Sequence, residues 1–510
     1  MRAGSWVPAL LVLLSATGTA LAEDKDPKLD TPAQKEAPTA FAAKEPAPVL
    51  DWGAGRGKSH LVPAYEIAAF EFLLNRFDFY SSDREVYKFP TTNLKTNWDR
   101  RWVVDNDKFA TNQFLHPYQG SIYQGFARSA GLGFWTSFLY ALAGSLAWEE
   151  AGESTTPSIN DQVASGIGGN FLGEPLFRMA SLLLESGSHE SPTALRELGA
   201  TLISPPTGFN RLAYGKRFDG VFRSYAPAVF TRAEFGVSVS THFQSNINVN
   251  ADRTLPPATQ TLARKQVAAD FTMGYGLPGK PGYAYSRPFD YFAFEFIAAT
   301  DSVVETIFSD GLMYGNAYEI GKGYRGIWGL YADYSYVAPQ IFRVSTTATS
   351  FGTTGQCWLS RSVALQGSAL VGLGYGAGGV VHGAGITQPG PNGEGRRDYH
   401  YGVAPQGLVD LRLILGDRVS IDTKVRDFYI SDLFASESAG TENIVRADFA
   451  LTVRAHNLQG LTLRYSHSVR DGRYAGLPRS YQTIGTVSLG YTLVGHTQFG
   501  AVDWRDAGQQ

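Results

Sequence analysis

The chain has 510 residues, 44 Lys and Arg against 47 Asp and Glu, 56 glycines, 13% aromatic and only 18% charged residues. A net charge of -3 provides no basic footprint for nucleic acid. The single cysteine, Cys357, excludes an intramolecular disulfide and a cysteine-based metal cluster.

Arg2, the apolar run over 7–14 and Ala20-Leu21-Ala22 before Glu23 predict a secretory signal over residues 1–22. Residues 23–50 are rich in Ala, Pro, Lys and Glu and hold too little apolar surface to offset ordering entropy, which predicts a disordered periplasmic leader. The stretch 53–59 falls short of a phosphate-binding loop, because Trp52 stands where its first glycine is required. Ile67, Phe70, Leu73, Leu74 and Phe77 recur at helical spacing and predict one amphipathic packing helix over 63–80.

Residues 112–174 concentrate His116, Tyr123, Arg128, Glu149, Asp161 and Glu174 in two apolar segments rich in small residues. They predict a helical hairpin over 112–185 within a helical domain over 51–205. Pro117 suits a first helical position, which puts His116 at or near the N-cap. The uncharged run 131–148 is at the lower limit for a transmembrane helix. Gly131, Gly133 and Gly144 dilute it, and its basic flank at Arg128 faces the wrong side for the positive-inside rule, so it predicts a helix buried in protein.

Ser137, Ala141, Ser145 and Glu149 form a small and polar stripe along that helix. Ser158 and Asp161 match a capping box with Asp in place of Glu. Gly166, Gly169 and Gly173 line a close-packing stripe, Glu174 and Arg178 are spaced to pair along the helix, and Pro175 predicts a kink one turn upstream. Tyr123, Arg128, Ser145, Glu174 and Arg178 are the expected members of a buried polar network. Ser191-Pro192 opens one more short helix.

The run Asn112-Gln113-x-x-His116-Pro117-Tyr118-x-Gly120-x-x-Tyr123, then Ala127-Arg128, Gly144-Ser145-x-x-Trp148-Glu149, Pro157-Ser158-x-x-Asp161 and Gly173-Glu174, resembles the bacterial family called domain of unknown function 3943. The resemblance is clearest over residues 60–190 and extends to Pro288-Phe289-Asp290. It implies an outer-membrane setting and no known activity.

From Val229 the period becomes two. Ala233, Phe235, Val237 and Val239 alternate with Arg232, Glu234, Ser238 and Ser240, and the same division recurs through 483–493. In 418–430, Arg418, Ser420, Asp422, Lys424 and Arg426 share one face. A basic residue facing lipid near the midplane costs roughly 2–4 kcal/mol, so that face must line a lumen or water. Arg232, Glu234, Arg418, Asp422, Lys424, Arg426, Arg446 and Arg464 are the expected lumen-facing residues. About 12 strands over 206–510 predict a closed transmembrane antiparallel β-barrel, with a soluble sandwich as the alternative. Tyr324, Trp328, Tyr334 and Tyr336 suit interfacial girdles. Gly374-x-Gly376-x-x-Gly379 matches a dinucleotide fingerprint formally, but no helix can follow it, which predicts a loop.

The sequence has no G-x-S-x-G elbow and no H-E-x-x-H. His116 as a base, with Asp161 or Glu149 as its orienter, is the one candidate catalytic group; no cofactor and no metal are expected. The leading reading is a barrel of Gram-negative outer membranes whose hairpin plugs or gates the lumen, in transport or envelope organisation. The alternatives are an envelope enzyme acting on lipid or cell-wall material, and a structural protein that holds a periplasmic protein partner through its N-terminal region. Outer-membrane lipid and the barrel-assembly machinery are the expected partners.

Overall fold

The computed structural model describes residues 58–105, 107–185, 192–245, 265–300, 302–338, 342–380, 388–389, 396–397, 399–431, 440–474, 479–495 and 498–504. The expected export signal and leader lie outside them. Twelve antiparallel strands close into a barrel in sequence order: β1 Val229–Ser245, β2 Lys265–Tyr275, β3 Phe292–Ala299, β4 Ser302–Ile320, β5 Tyr324–Val337, β6 Phe342–Trp358, β7 Val363–Val380, β8 Tyr399–Leu415, β9 Val419–Ser431, β10 Gly440–His456, β11 Gln459–Tyr474 and β12 Ser480–Val494. β12 returns to β1 in register, Gly236 opposite Gly490. Closure leaves no unpaired strand edge, which a bilayer requires. The glycines of the formal dinucleotide fingerprint lie inside β7, not in a loop: Gly374 and Gly376 pair with Ala348 and Thr346 on one side and with Ala404 and Gly402 on the other.

The two faces of the wall differ as the sequence period predicts. Valines, leucines and aromatics such as Val409, Ile421, Phe449, Leu463 and Leu489 are exposed on the outer face. Charged side chains meet inside. Arg232 Nη1 on β1 reaches Asp422 Oδ2 on β9 at 3.1 Å, Lys424 Nζ on β9 reaches Glu295 Oε2 on β3 at 2.6 Å, and Arg426 Nη1 reaches Asp310 Oδ1 on β4 at 3.1 Å. Arg464 on β11 joins Glu234, Asp270 and Glu295. These pairs cross the lumen, so they fix which face is inward. An even-numbered closed barrel with an apolar exterior and a polar interior is the construction of outer-membrane barrels. Arg418 departs from the expectation: it lies in the turn before β9 and is exposed, because the barrel wall ends one residue later.

Two apolar clusters shut the lumen on either side of the charge layer. Toward the strand ends Val337, Phe342 and Ile430, inward-facing Phe308, Val344, Phe428 and Ile444 pack together. At the opposite end, where turns such as 416–418 are short, inward Phe230, Leu370, Leu408 and Ile414 pack with Phe499 and Val502 of the C-terminal segment. That segment is pinned by Gln366 Nε2 donating to Gly500 O at 2.8 Å and by Val502 N donating to Gln356 Oε1 at 2.8 Å. Two small cavities of about 100 and 80 Å3 remain, and Arg464 lines both.

The helices are α1 Leu61–Ser81, α2 Pro90–Asn97, α3 His116–Ser129, α4 Phe134–Ala147, α5 Ile159–Val163, α6 Gly169–Glu185, α7 Ala194–Ile203 and α8 Pro205–Tyr214. The segment expected to be a two-helix hairpin makes three antiparallel passes, α3, α4 and α6. Gly131, at φ 84°, reverses the chain between α3 and α4 in a conformation that side-chain-bearing residues avoid. With α1 they form an up-down-up-down array: Ser59 N meets Ala130 O at the short-turn end, and Asn75 Nδ2 meets Gly152 O at the other.

This array lies against the outer wall and not in the lumen, contrary to the expected plug. Tyr334 donates to Gln113 O at 2.5 Å, Ser309 to Phe171 O at 2.8 Å, and Gly168 abuts Thr347 and Tyr334. Each of these strand residues alternates with inward neighbours such as Asp310, Asp333 and Ser350 and so faces out. Tyr334 and Tyr336, expected in an aromatic girdle, are therefore buried beneath helices. The inward arginines already have carboxylates on facing strands, and the lumen is left with no need of a helical occupant.

Removing one member of a buried ion pair strands the other, at about 3–5 kcal/mol. Arg426→Met should lower the urea midpoint of the micelle-refolded protein, with a loss of unfolding free energy of about 3–5 kcal/mol, and Arg426→Met with Asp310→Leu should recover most of it. Equal midpoints for parent and single variant would show that the pair crosses hydrated space.

Candidate functional site

Two polar clusters lie within the helical array. The first centres on Glu174 of α6, which is fully buried. It accepts from Arg128 Nε of α3 at 2.7 Å, Arg128 Nη2 at 2.9 Å, Arg178 Nε one turn on at 2.9 Å and Gln124 Nε2 at 2.7 Å. Arg178 continues to Asp290 Oδ1 at 3.0 Å and Pro288 O at 2.6 Å in the β2–β3 turn. Both guanidiniums also stack over Phe222, at 4.9 and 4.8 Å. Four charge-assisted bonds hold one carboxylate, and the chain of charges ties α3 and α6 to the barrel.

Glycines let α3 and α6 come this close. A Cβ at Gly169 would sit 2.6 Å from Gly120 Cα, and one at Gly173 would sit 2.8 Å from Gln124 Oε1. Gly166 of the same predicted stripe turns instead toward Leu142 of α4. Pro175 stays inside a continuous α6. Lacking an N–H, it leaves the carbonyl of Phe171 free, and Ser309 of β4 supplies the donor.

The second cluster surrounds His116 where the helices meet the outer faces of β5 and β8. Three single-turn π-helical segments converge on it: Thr111–Leu115 directly before His116, Trp148–Gly152 carrying Glu149, and Ala164–Gly168 carrying Ser165. Such turns are rare and concentrate at functional sites. His116 Nδ1 lies 3.2 Å from Ser165 Oγ, and Nε2 lies 3.7 Å from Asp161 Oδ2. All three are buried.

Asp161 N donates to Ser158 Oγ at 3.2 Å, the expected cap, but the return bond comes from elsewhere. Ser158 N donates to Glu149 Oε2 at 2.7 Å, so Glu149 fills the reciprocal half of the capping box. Asn160 Nδ2 bridges Asp105, Asp161 and the Tyr401 hydroxyl at 2.7, 2.9 and 2.9 Å, and Asn112 Nδ2 reaches Asp105 and Tyr399. In the connecting segments burial pushes the carboxyl of Glu153 up to about 7 and raises that of Asp107.

The structure therefore brings His116, Glu149 and Asp161 into one cluster, and Arg128, Glu174 and Arg178 into another. Tyr123 and Ser145 join neither. Tyr123 accepts from Gln119 Nε2 at 2.5 Å and packs on Gly144, while the Ser145 hydroxyl is buried with no partner among the described residues. Ser165, Asp105, Asn160 and Tyr401 were not legible as site residues. Among the described residues no group of three His, Cys, Asp or Glu side chains is arranged to hold a metal. The arrangement Asp161, His116, Ser165 is that of a base oriented by an acid beside a hydroxyl.

Glu174→Gln leaves Arg128 and Arg178 short of a counter-charge at about 3–5 kcal/mol, so its folded yield should drop well below that of the parent; an unchanged yield would dissociate the charge chain from assembly. Glu153 retains a proton in the folded state that the unfolded chain loses from about 4.5 upward. Folded protein then binds more protons, and stability falls as pH rises from about 4.5 to about 7. Glu153→Gln should flatten the urea midpoint across that window.

No curated protein matches the chain. Among solved structures, the NanC porin covers 50% of this chain and 98% of its own at 7% identity, with a TM-score of 0.24. Pseudomonas aeruginosa OpdQ covers 52% and 98% at 12% identity and 0.19, and the translocator domain of autotransporter NalP from Neisseria meningitidis covers 52% and 88% at 14% identity and 0.22. Residues 101–206, the segment that holds His116, Glu149, Asp161 and Glu174, match the family described as Domain of unknown function (DUF3943).

Proposed function

We propose that this outer-membrane barrel is a closed scaffold that holds a helical domain in the envelope, and that its role is envelope organisation and not passage of solutes through the lumen. The observation that carries the reading is the cross-lumen layer of Arg232, Lys424, Arg426 and Arg464 with their carboxylates, between two apolar closures. A water-filled channel of this strand number would show spare cross-section; here side chains and the C-terminal segment occupy it. Short turns at one end and longer connections, such as residues 246–264 and 381–398, at the other follow the outer-membrane rule of short periplasmic turns. That orientation puts the C-terminal segment at the periplasmic mouth and the His116 cluster toward the outer leaflet.

A second reading is favoured by the Ser165–His116–Asp161 geometry. It is an acyl hydrolase for lipid, with Ser165 as nucleophile, His116 as base and Asp161 as the group that orients it. Labelling of the parent but not of Ser165→Ala by a fluorophosphonate would favour it.

For the closed scaffold, the full chain reconstituted in planar bilayers should give no channel steps. Phe499→Ala and Val502→Ala combined with Arg464→Ser and Arg426→Ser should open the mouth and the charge layer and raise conductance. Stepwise conductance from the full chain would overturn the reading.

A further inference from the structure

The helical array is built inside-out. On α1 the exposed side chains are Leu61, Tyr65, Phe72, Leu73, Phe77 and Tyr80, with alanines between them, whereas Glu66 is buried and Glu71, Arg76 and Asp78 are turned partly inward. α4 exposes Trp135, Leu139, Ala143 and Leu146 and buries Ser137, Gly144 and Ser145. α7 and α8 expose Leu195, Leu198, Phe209 and Leu212 and bury Thr207 and Asn210. A helix at a water surface has the opposite arrangement. An apolar surface spread over four helices exceeds what soluble proteins leave uncovered.

We infer that this face is covered by the acyl chains of the outer membrane, so that the helices lie within the bilayer beside the barrel. The first argument is continuity with the barrel's own apolar belt. Exposed Trp135 of α4 stacks on exposed Tyr314 of β4, with ring centroids 5.7 Å apart and planes 15° apart, so the helical surface joins the wall without a polar break. The second is length. α1 has 21 residues and at 1.5 Å per residue spans about 31 Å, the thickness of a hydrocarbon core of about 30 Å.

The third is the position of exposed charge. It gathers past the two ends of α1, at Lys58 and His60 before it and at Asp83, Arg84, Glu85, Lys95, Arg100 and Arg101 after it. The fourth is close packing through Gly120 and Gly169, the means by which helices associate where no hydrophobic force drives them together. No described helix is long and apolar enough to cross a membrane alone. The polar groups that dilute them face one another, so the unit that enters lipid is the array docked on the wall, with its polar core enclosed.

The inference rests on the outer-membrane reading, and the test separates the two. In a Cys357→Ser background, Leu73→Cys and Leu139→Cys on the helices, Leu451→Cys on the outer face of β10 and Asp83→Cys beyond α1 are spin-labelled in the full chain. Each variant is checked for the heat-dependent gel shift of a folded barrel and reconstituted in phosphatidylcholine vesicles. Power saturation is compared for oxygen and for a water-soluble nickel chelate. Leu73 and Leu139 labels should match Leu451, more accessible to oxygen than to nickel, and the Asp83 label should show the reverse. Nickel access at Leu73 and Leu139 equal to that at Asp83, with Leu451 protected, would place the helices in water, and low access there to both reagents would mean cover by a second copy or a protein partner; either result would overturn the inference. Nickel access at Leu451 as well would overturn the membrane reading itself.

Discussion

The carboxylate of Glu174 is the point on which the helical half of the molecule depends. Fully buried, it is tolerable only because Arg128, Arg178 and Gln124 complete its hydrogen bonds. Those partners come from a second helix and from the next turn of its own, so the carboxylate sets the register of α3 against α6. Arg178 then spends its remaining donors on Asp290 and Pro288, which hold the array on the wall. An apolar contact in the same place would attract without fixing register, since hydrophobic contacts are non-directional. The resemblance of Pro288-Phe289-Asp290 to the same family acquires a physical meaning here: those residues are the barrel's half of the joint.

The barrel is governed by the companion constraint that charge cannot face lipid. Through the charge layer the strands turn side chains such as Glu295, Asp310, Asp422, Lys424, Arg426 and Arg464 to one face, and closing the sheet collects them in the lumen. Twelve strands would leave that space wet if the charges were of one sign. Asp270, Glu295, Asp310 and Asp422 stand opposite Arg464, Lys424, Arg426 and Arg232, so the charges are complementary across the lumen and pair there.

Much of the wall was legible in the sequence because the period-two division of Val419 to Arg426 has one solution in a bilayer. The Ser158 cap and the Glu174–Arg178 pair were legible for a similar reason, each depending on residues a turn apart. The side of the wall on which the helices lie was not. A stripe such as Gly169 and Gly173, or Ser137 and Ser145, states that a face is covered but not by what. Lumen arginines such as Arg426 and Arg232 looked unpaired because their partners, Asp310 and Asp422, are more than 100 residues away. The third pass was hidden because only Gly131 marks the reversal. Ser165 was hidden because a π-helical turn, with no sequence signature of its own, aims it at His116.

The apolar pattern of α1 shows how environment decides the meaning of a period. Leu73 and Phe77 recur at the spacing of a packing face, and in water that face would turn toward a core. Here they are exposed, while Glu66 on the other side is buried. The same periodicity thus marks the inside of a soluble helix and the outside of one in lipid, and only the barrel to which it is joined distinguishes them. An enclosed polar interior then gives the His116 cluster a setting shielded on one side by the wall at Tyr401 and on the others by helices whose outward faces are apolar. Three π-helical turns interrupt otherwise regular helices in that one place, each forgoing regular hydrogen bonding to bring a chosen residue inward. Strain of that kind is not needed to pack Glu174, whose helices are regular around it, so the fold concentrates its irregularity at the one cluster that holds an acid, a histidine and a hydroxyl together.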